Sequence, residues 1–181
     1  MDGFEWAVKD IIAKKRQKTA VINMSLGCDR SEAFNAIVDA AFEEGILTVV
    51  AAGNENQPAA EVSPASSRRA FSVGAIDSKN TRAYFSNYGN IVDIFAPGVD
   101  IVSAYIGKAE GDNNRTMTMS GTSMASPHVA GLALYLKSLD LAKWGGALEA
   151  HRGMRDIGIA NKVYDAGELS PNLVAYSGIK G

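Results

Sequence analysis

Two apolar runs separated by a helical pattern limit the folds that this chain can adopt. Each run, at residues 19–26 and 46–52, is apolar enough for a buried strand. The residues between them place apolar side chains at helical spacing, namely at Phe34, Ile37, Val38 and Ala41. Gly45 fits the end of that helix. Strand, helix and strand within about 30 residues predict a βαβ unit, which joins two parallel strands by a right-handed crossover.

Helices and strands alternate along the rest of the chain as well. Further helices are predicted at 3–16, 122–138 and 146–157, and further strands at 70–75, 91–95 and 99–105. Two capping boxes are predicted at helix starts, Asp2 with Glu5 and Asp29 with Glu32. No repeat or linker divides the 181 residues, so we expect a single α/β domain over residues 1–181.

Composition excludes several classes of protein. The net charge is −2 at neutral pH, without the basic excess of a nucleic-acid-binding surface. No apolar run approaches the ~20 residues of a membrane-spanning helix, and the first residues lack the apolar region of a signal peptide. One cysteine rules out an internal disulfide. We therefore expect no nucleic-acid partner, no membrane partner and no export signal within this chain.

A serine lies at the predicted start of the third long helix, in the segment SGTSMASPHVAG at residues 120–131. Free backbone N–H groups and the helix dipole at that position favour a developing negative charge next to Ser123. Gly121 allows a close backbone approach, and Pro127 is tolerated in a first helical turn. On local physics alone, a serine N-cap is the commoner explanation. The spacing also differs from the G-x-S-x-G nucleophile elbow of α/β-hydrolases.

The whole segment resembles the active-site serine motif of subtilisin-like serine proteases. Six more stretches resemble motifs of that family in the same order: INMSLG (22–27), VAAGNENQ (50–57), SPAS (63–66), FSNYG (85–89), DIFAPG (93–98) and NLVAYSG (172–178). The resemblance is to the proteinase K and fungal alkaline protease branch and covers essentially the whole chain. It implies a three-layer α/β fold with a mainly parallel sheet, of which this chain is the C-terminal portion. It also implies an extracellular endopeptidase that needs no cofactor for catalysis.

The resemblance gives catalytic roles to two residues. Ser123 would be the nucleophile, and the Asn54 side-chain amide would stabilise the oxyanion of the tetrahedral intermediate. Substrate-binding roles are implied for two groups, Ser25, Leu26 and Gly27 along an extended peptide, and Ala51, Ala52 and Gly53 around the side chain before the cleaved bond. Small residues leave room there for a large apolar side chain. Without the resemblance, Asn54 reads as a turn residue and both strands read as sheet core.

Neither of the two histidines is expected to activate the serine. His128 follows Ser123 by five residues on the same helix, about 140° around and about 7.5 Å along its axis. We predict a buried structural role for His128 and an exposed position for His151. In the family, the catalytic aspartate and histidine precede the strand that corresponds to 19–26. The resemblance therefore implies that a preceding segment supplies both, and that the isolated chain is inactive.

A non-catalytic role is the alternative function. A truncated homologue of the family could bind peptides or another protein through an exposed sheet edge, because an unpaired edge strand offers free backbone hydrogen-bonding groups.

Three other features carry predictions. Asp93 matches an aspartate that helps to bind structural calcium in the family, with backbone carbonyls here from Arg68 and Ala70. A single carboxylate is few for an ion that takes six to eight oxygens. Cys28 stands where the family usually has glycine, and it either borders the substrate cleft or is a small buried apolar residue. Asn114 begins a glycosylation sequon on a predicted surface loop.

Overall fold

A six-stranded sheet forms the centre of the computed structural model, which describes residues 1–106 and 114–178. The helices are α1 (Asp2–Ala13), α2 (Glu32–Glu43), α3 (Thr122–Leu139), α4 (Leu141–Trp144) and α5 (Ala147–Ile157). The strands are β1 (Val21–Met24), β2 (Cys28–Asp29), β3 (Leu47–Ala51), β4 (Val62–Ser63), β5 (Phe71–Ile76), β6 (Ile94–Pro97), β7 (Ile101–Ala104), β8 (Thr116–Met119), β9 (Ile159–Ala160) and β10 (Leu173–Val174).

The strand order of the main sheet is β1-β3-β5-β6-β10-β9. The first five strands in that order are parallel, and β9 is antiparallel to β10. Strands β1 and β3, joined through α2, are parallel neighbours, as the βαβ pattern predicts. Two small antiparallel pairs, β2 with β4 and β7 with β8, lie outside this sheet.

Helices cover both faces of the sheet and make a three-layer α/β fold. The β3 strand is buried along its whole length, and its neighbours Val49 and Val50 belong to two different core clusters. The cluster of Val49 includes Ala125 of α3 and Met154 of α5, whereas the cluster of Val50 includes Val38 of α2. Small residues on α3 let its backbone lie close to the sheet, which places the first turn of α3 beside the carboxyl ends of the central strands.

Both predicted capping boxes are wrong. Helix α1 begins at Asp2 itself, and its N-cap is Met1, which makes no side-chain capping bond. Helix α2 has Ser31 as its N-cap, and the Ser31 hydroxyl accepts from the Phe34 N–H at 3.3 Å. Asp29 is instead paired with β4 as the last residue of β2. The Asp–Glu spacing is therefore present in both places without the cap that it usually indicates.

The remaining element predictions differ from the structure mainly at their ends. The strand expected at 91–95 is Ile94–Pro97, because pairing with β5 begins only at Ile94. The strand expected at 99–105 is Ile101–Ala104, the four residues that pair with β8. The sequon residue Asn114 is exposed, and the segment 107–113 beside it lies outside the described residues. None of the described helices combines the length and the apolar character that crossing a membrane requires.

Candidate active site

The first turn of α3 carries the serine that the sequence singles out. The N-cap of this helix is Gly121 and the helix begins at Thr122, so Ser123 is not an N-cap residue. The Ser123 hydroxyl donates to the carbonyl oxygen of Ser25 at 3.2 Å. The Ser25 hydroxyl in turn donates to the carbonyl oxygen of Ser123 at 2.8 Å. This reciprocal pair ties the candidate nucleophile to the residue that follows β1.

Asn54 lies in the loop after β3 and faces the same helix end. Its Oδ1 accepts from the Thr122 backbone N–H at 2.8 Å and from the Thr122 hydroxyl at 2.9 Å. The Gly53 N–H donates to that hydroxyl at 3.2 Å. Among the described residues, Asn54 Nδ2 has no hydrogen-bond acceptor. The Asn54 amide therefore has a fixed oxygen and two N–H donors available to a ligand.

Ser123 and Asn54 line one cleft of about 270 Å³. Four of the predicted substrate-binding residues also line it: Leu26, Gly27, Ala51 and Gly53. Ser25 and Ala52 lie outside its lining. Ser25 is bonded to Ser123, and Ala52 is fully buried beneath the cleft, where its carbonyl oxygen accepts from Asn87 Nδ2 at 2.9 Å. The structure thus brings together a hydroxyl, an amide donor and an open channel bordered by backbone.

Sequence reasoning missed two residues that shape this cleft. Thr122 fixes the orientation of the Asn54 amide, and Asn87 binds the loop on which Asn54 lies. Both occur in stretches that resemble family motifs, which is the one signal that the sequence offers for them.

The structure places neither histidine in contact with the Ser123 hydroxyl. The exposed His128 ring bonds through Nδ1 to the Met124 carbonyl oxygen of its own helix at 2.8 Å, so the predicted burial is wrong. His151 is half-buried, and its ring lies edge-on to Phe71 at 4.9 Å, so the predicted exposure is also wrong. Its spacing from buried neighbours at i−4, i−1 and i+3 on α5 could have indicated an inward side chain.

Comparison with known proteins agrees with this arrangement. A sequence model described as the Subtilase family matches residues 1–162. This chain belongs to the subtilase family. It is 53% identical over 179 residues to alkaline protease 1 of Aspergillus flavus, and 51% identical over 180 residues to subtilisin-like proteinase Mp1 of Magnaporthiopsis poae. These matches cover 98% and 99% of this chain but only 42% and 43% of the two relatives.

A solved structure supports the same fold. A cold-adapted subtilisin-like serine proteinase superimposes with a TM-score of 0.83 at 34% identity. The match covers 96% of this subtilase chain and 61% of the other chain. The chain therefore has the fold of a subtilisin-like proteinase over most of its own length, and it spans less than half of the two protease relatives.

Cys28 borders the cleft of this subtilase. It is the first residue of β2, is exposed, and lines the cleft together with Ser123. The alternative of a small buried apolar residue is therefore wrong. An exposed thiol in this position is accessible from the cleft.

Iodoacetamide is expected to alkylate Cys28 in the folded subtilase chain, because the thiol is exposed. Intact-protein mass spectrometry should show one added group without denaturant, and Cys28→Ser should show none. A bulkier maleimide adduct is expected to obstruct the cleft and to slow any reaction at Ser123. Alkylation that occurs only after unfolding would contradict this prediction.

Asp93 directly precedes β6. It is buried, and its Oδ2 accepts from the Ser72 N–H at 2.8 Å. Its Oδ1 lies 3.2 Å from Arg155 Nη1 and 3.7 Å from His151 Nε2. Burial raises the pKa of the Asp93 carboxyl, and the nearby His151, the Ser72 N–H and Arg155 act in the opposite direction.

These surroundings do not fit the predicted calcium site. One Asp93 oxygen is bonded to a backbone N–H, and the other faces two cationic or potentially cationic side chains. The segment that would offer the Arg68 and Ala70 carbonyls adds two positive charges, from Arg68 and Arg69, and no carboxylate. Across residues 1–106 and 114–178, no group of three or more His, Cys, Asp or Glu residues is placed to hold a metal.

Calcium is accordingly expected to leave the melting temperature of this chain unchanged. A thermal unfolding series with added calcium chloride, and a second one with EGTA, should superimpose because both Asp93 oxygens already accept hydrogen bonds from protein donors, Ser72 and Arg155. The Asp93→Asn variant is the control. A rise in melting temperature that needs calcium and disappears in Asp93→Asn would contradict this expectation and restore the calcium site.

Proposed function

We propose that this chain supplies the nucleophile and the oxyanion donor of a serine endopeptidase. The observation that carries the proposal is the cleft that Ser123 and Asn54 share. The Ser123 hydroxyl would attack the carbonyl carbon of a peptide bond. Asn54 Nδ2 and the Ser123 backbone N–H would stabilise the negative charge that develops on the carbonyl oxygen. Thr122 holds the Asn54 oxygen, so the Nδ2 donors need no reorientation during the reaction.

The proposed substrate is a protein or peptide in extended form. The backbone of Leu26 and Gly27 borders the cleft and would pair with the peptide as an added strand. Ala51 and Gly53 give the adjoining pocket small walls, which favours a large apolar side chain before the cleaved bond. Ser25 would act by positioning Ser123, and the buried Ala52 by supporting the pocket from below. The proposed location is extracellular, and catalysis would need no cofactor.

The proposal assigns the general base, and the carboxylate that orients it, to a separate polypeptide segment. A serine hydroxyl needs a base to act as a nucleophile. The Ser123 hydroxyl donates to a backbone carbonyl, and neither His128 nor His151 is bonded to it. We propose that a segment corresponding to the preceding part of the protease relatives provides both groups, as the family resemblance implies.

An open apolar surface beside Ser123 supports the proposal that another segment docks there. A depression of about 320 Å³ adjoins the serine between α3 and β7. It is lined by Ile101, Val102, Ser103, Ser123, Met124, Pro127 and His128. Val102 is 65% exposed, and Met117 and Met119 on the paired strand β8 are 44% and 42% exposed. Met117 and Met119 pair with Ser103 and Ile101, so they lie on the face of the β7–β8 pair opposite to Val102. Apolar side chains exposed on both faces of this pair support a surface that another polypeptide covers.

A fluorophosphonate probe tests the nucleophile. The purified chain is expected to be phosphonylated slowly and selectively at Ser123 at pH 9, and Ser123→Ala is expected to lose that label. Ser138→Ala is the matched control, because Ser138 is an exposed serine near the other end of the same helix, where its hydroxyl donates to the Tyr135 carbonyl oxygen. Peptide mapping by mass spectrometry locates the adduct. Labelling spread over other serines, with none at Ser123, would remove the proposed nucleophile.

Two further results separate the remaining proposals. Rapid peptide hydrolysis by the chain alone, lost in Ser123→Ala, would show that no outside base is needed. Peptide binding without any reaction at Ser123 would favour the alternative, a non-catalytic binding module. The observation behind that alternative is that β1 lies at one end of the strand order of the described sheet, where β3 is its neighbour.

A further inference from the structure

The side chain of Asn87 is fully buried beneath the loop that carries Asn54. Its Oδ1 accepts from the N–H groups of Glu55 at 3.1 Å and Gln57 at 3.0 Å. Its Nδ2 donates to the Ala52 carbonyl oxygen at 2.9 Å and to Glu55 Oε2 at 2.8 Å. A primary amide has two acceptor sites and two donors. All four are therefore engaged by residues of a single six-residue loop, 52–57.

The backbone of Asn87 adds a fifth bond to the same loop. Its N–H donates to the Gly53 carbonyl oxygen at 3.0 Å. Asn54 therefore lies between two residues, Gly53 and Glu55, that are both bonded to Asn87. Asn54 itself is bonded only through Oδ1 to Thr122 in the described structure. Asn87 thus fixes the backbone on both sides of Asn54, while Thr122 fixes the oxygen of its side chain.

Asn87 is in turn anchored to the centre of the sheet. The neighbouring Ser86 is fully buried, and its hydroxyl accepts from the Ala75 N–H of β5 at 3.0 Å. The Ser86 N–H donates to the Ala83 carbonyl oxygen at 2.8 Å. A chain of hydrogen bonds therefore runs from β5 through Ser86 and Asn87 to the loop around Asn54. Asn87 does not line the cleft, so it does not touch a substrate there.

We propose that Asn87 is a positioning residue that aims the Asn54 Nδ2 donors at the oxyanion. This inference rests on the roles proposed above for Ser123 and Asn54. Oxyanion stabilisation depends on donors already placed where the charge develops. A displacement of about 1 Å can cost about 100-fold in rate. Loss of the Asn87 side chain frees the backbone on either side of Asn54 and lets the Nδ2 donors move away.

The test is the rate at which a fluorophosphonate probe modifies Ser123 in the full chain. Asn87→Ala is expected to slow this reaction by about 10- to 100-fold through misplacement of the donor. Asn90→Ala is the matched control, since Asn90 is an exposed asparagine on the same segment, and it should react at the wild-type rate. Circular dichroism melts establish that each variant is folded at the assay temperature.

A double-mutant cycle separates positioning from general loss of structure. Asn54→Asp keeps the oxygen that bonds to Thr122 but has no Nδ2 donor. The Asn54→Asp background lacks the Nδ2 donor that Asn87 is proposed to position. Adding Asn87→Ala there should therefore change the rate of Ser123 modification less than about twofold. If Asn87→Ala is unfolded, Asn87→Ser replaces it, because an uncharged hydroxyl can still bond within the loop but cannot make the four bonds of the amide.

Each outcome decides the inference. A wild-type rate in the folded Asn87 variant would overturn it. An equal slowing by the Asn87 substitution in both backgrounds would also overturn it, because the effect would not pass through Asn54. If Asn54→Asp alone reacts at the wild-type rate, or if the wild-type chain is not modified at Ser123, the proposed function itself fails and the inference fails with it.

Discussion

Gly53→Ala is expected to destabilise the chain by about 2–4 kcal/mol, or about 4–16 °C in melting temperature for a domain of this size. Gly53 has a φ of +105°, which an alanine adopts only with strain. A Cβ at this position would overlap Asn87 Nδ2 and would lie 2.6 Å from Glu55 Oε2. Because Asn87 is buried and fully bonded, it cannot move aside without losing its contacts to the loop.

Gly131→Ala is the matched control for that substitution. Gly131 lies within α3, and a Cβ there would meet no atom within 4 Å. Alanine in a helix interior is favoured over glycine by about 1 kcal/mol, so this variant should be more stable than the wild type. Thermal and urea unfolding of the two variants should therefore shift in opposite directions. Equal stability of Gly53→Ala and the wild type would show that the loop relaxes around the added methyl group.

The layered fold is largely readable from the sequence because its signal is local. The β3 strand is apolar at every position except Thr48, and α2 shows apolar residues at helical spacing, so both follow from short windows of sequence. Helix ends are harder to predict from sequence, because neighbouring residues compete for the N-cap position. Ser31 lies directly before α2 and accepts from the Phe34 N–H, so it takes the cap position that the Asp29–Glu32 spacing predicts for Asp29.

The site is only partly readable from the sequence because its contacts join distant residues. The helix start marks Ser123 locally, and the family resemblance supplies the role of Asn54. The bonds from Asn87 to Glu55 and Gln57 span 32 and 30 residues, and no local pattern encodes them. The position of His151 against Phe71 likewise depends on how α5 packs on β5.

Asn54→Asp is expected to reduce the rate of Ser123 modification by about 100- to 1000-fold, which corresponds to about 2.7–4 kcal/mol of transition-state stabilisation. The substitution replaces the Nδ2 donor with an oxygen that repels a developing oxyanion. The other oxygen can still accept from the Thr122 N–H and hydroxyl, which bond to Asn54 Oδ1 in this structure. The chain should therefore lose reactivity while keeping its fold.

Asn54→Ala separates the two roles of the Asn54 amide, which are to stabilise an oxyanion through Nδ2 and to anchor α3 through Oδ1. It removes the same donor, so its rate loss should be similar. It also leaves the buried Thr122 N–H and hydroxyl without their acceptor, at a cost of about 1–3 kcal/mol in unfolding free energy. Probe kinetics should therefore group the two variants together, whereas urea unfolding should separate them. Wild-type reactivity in both folded variants would show that Asn54 anchors α3 without stabilising an oxyanion.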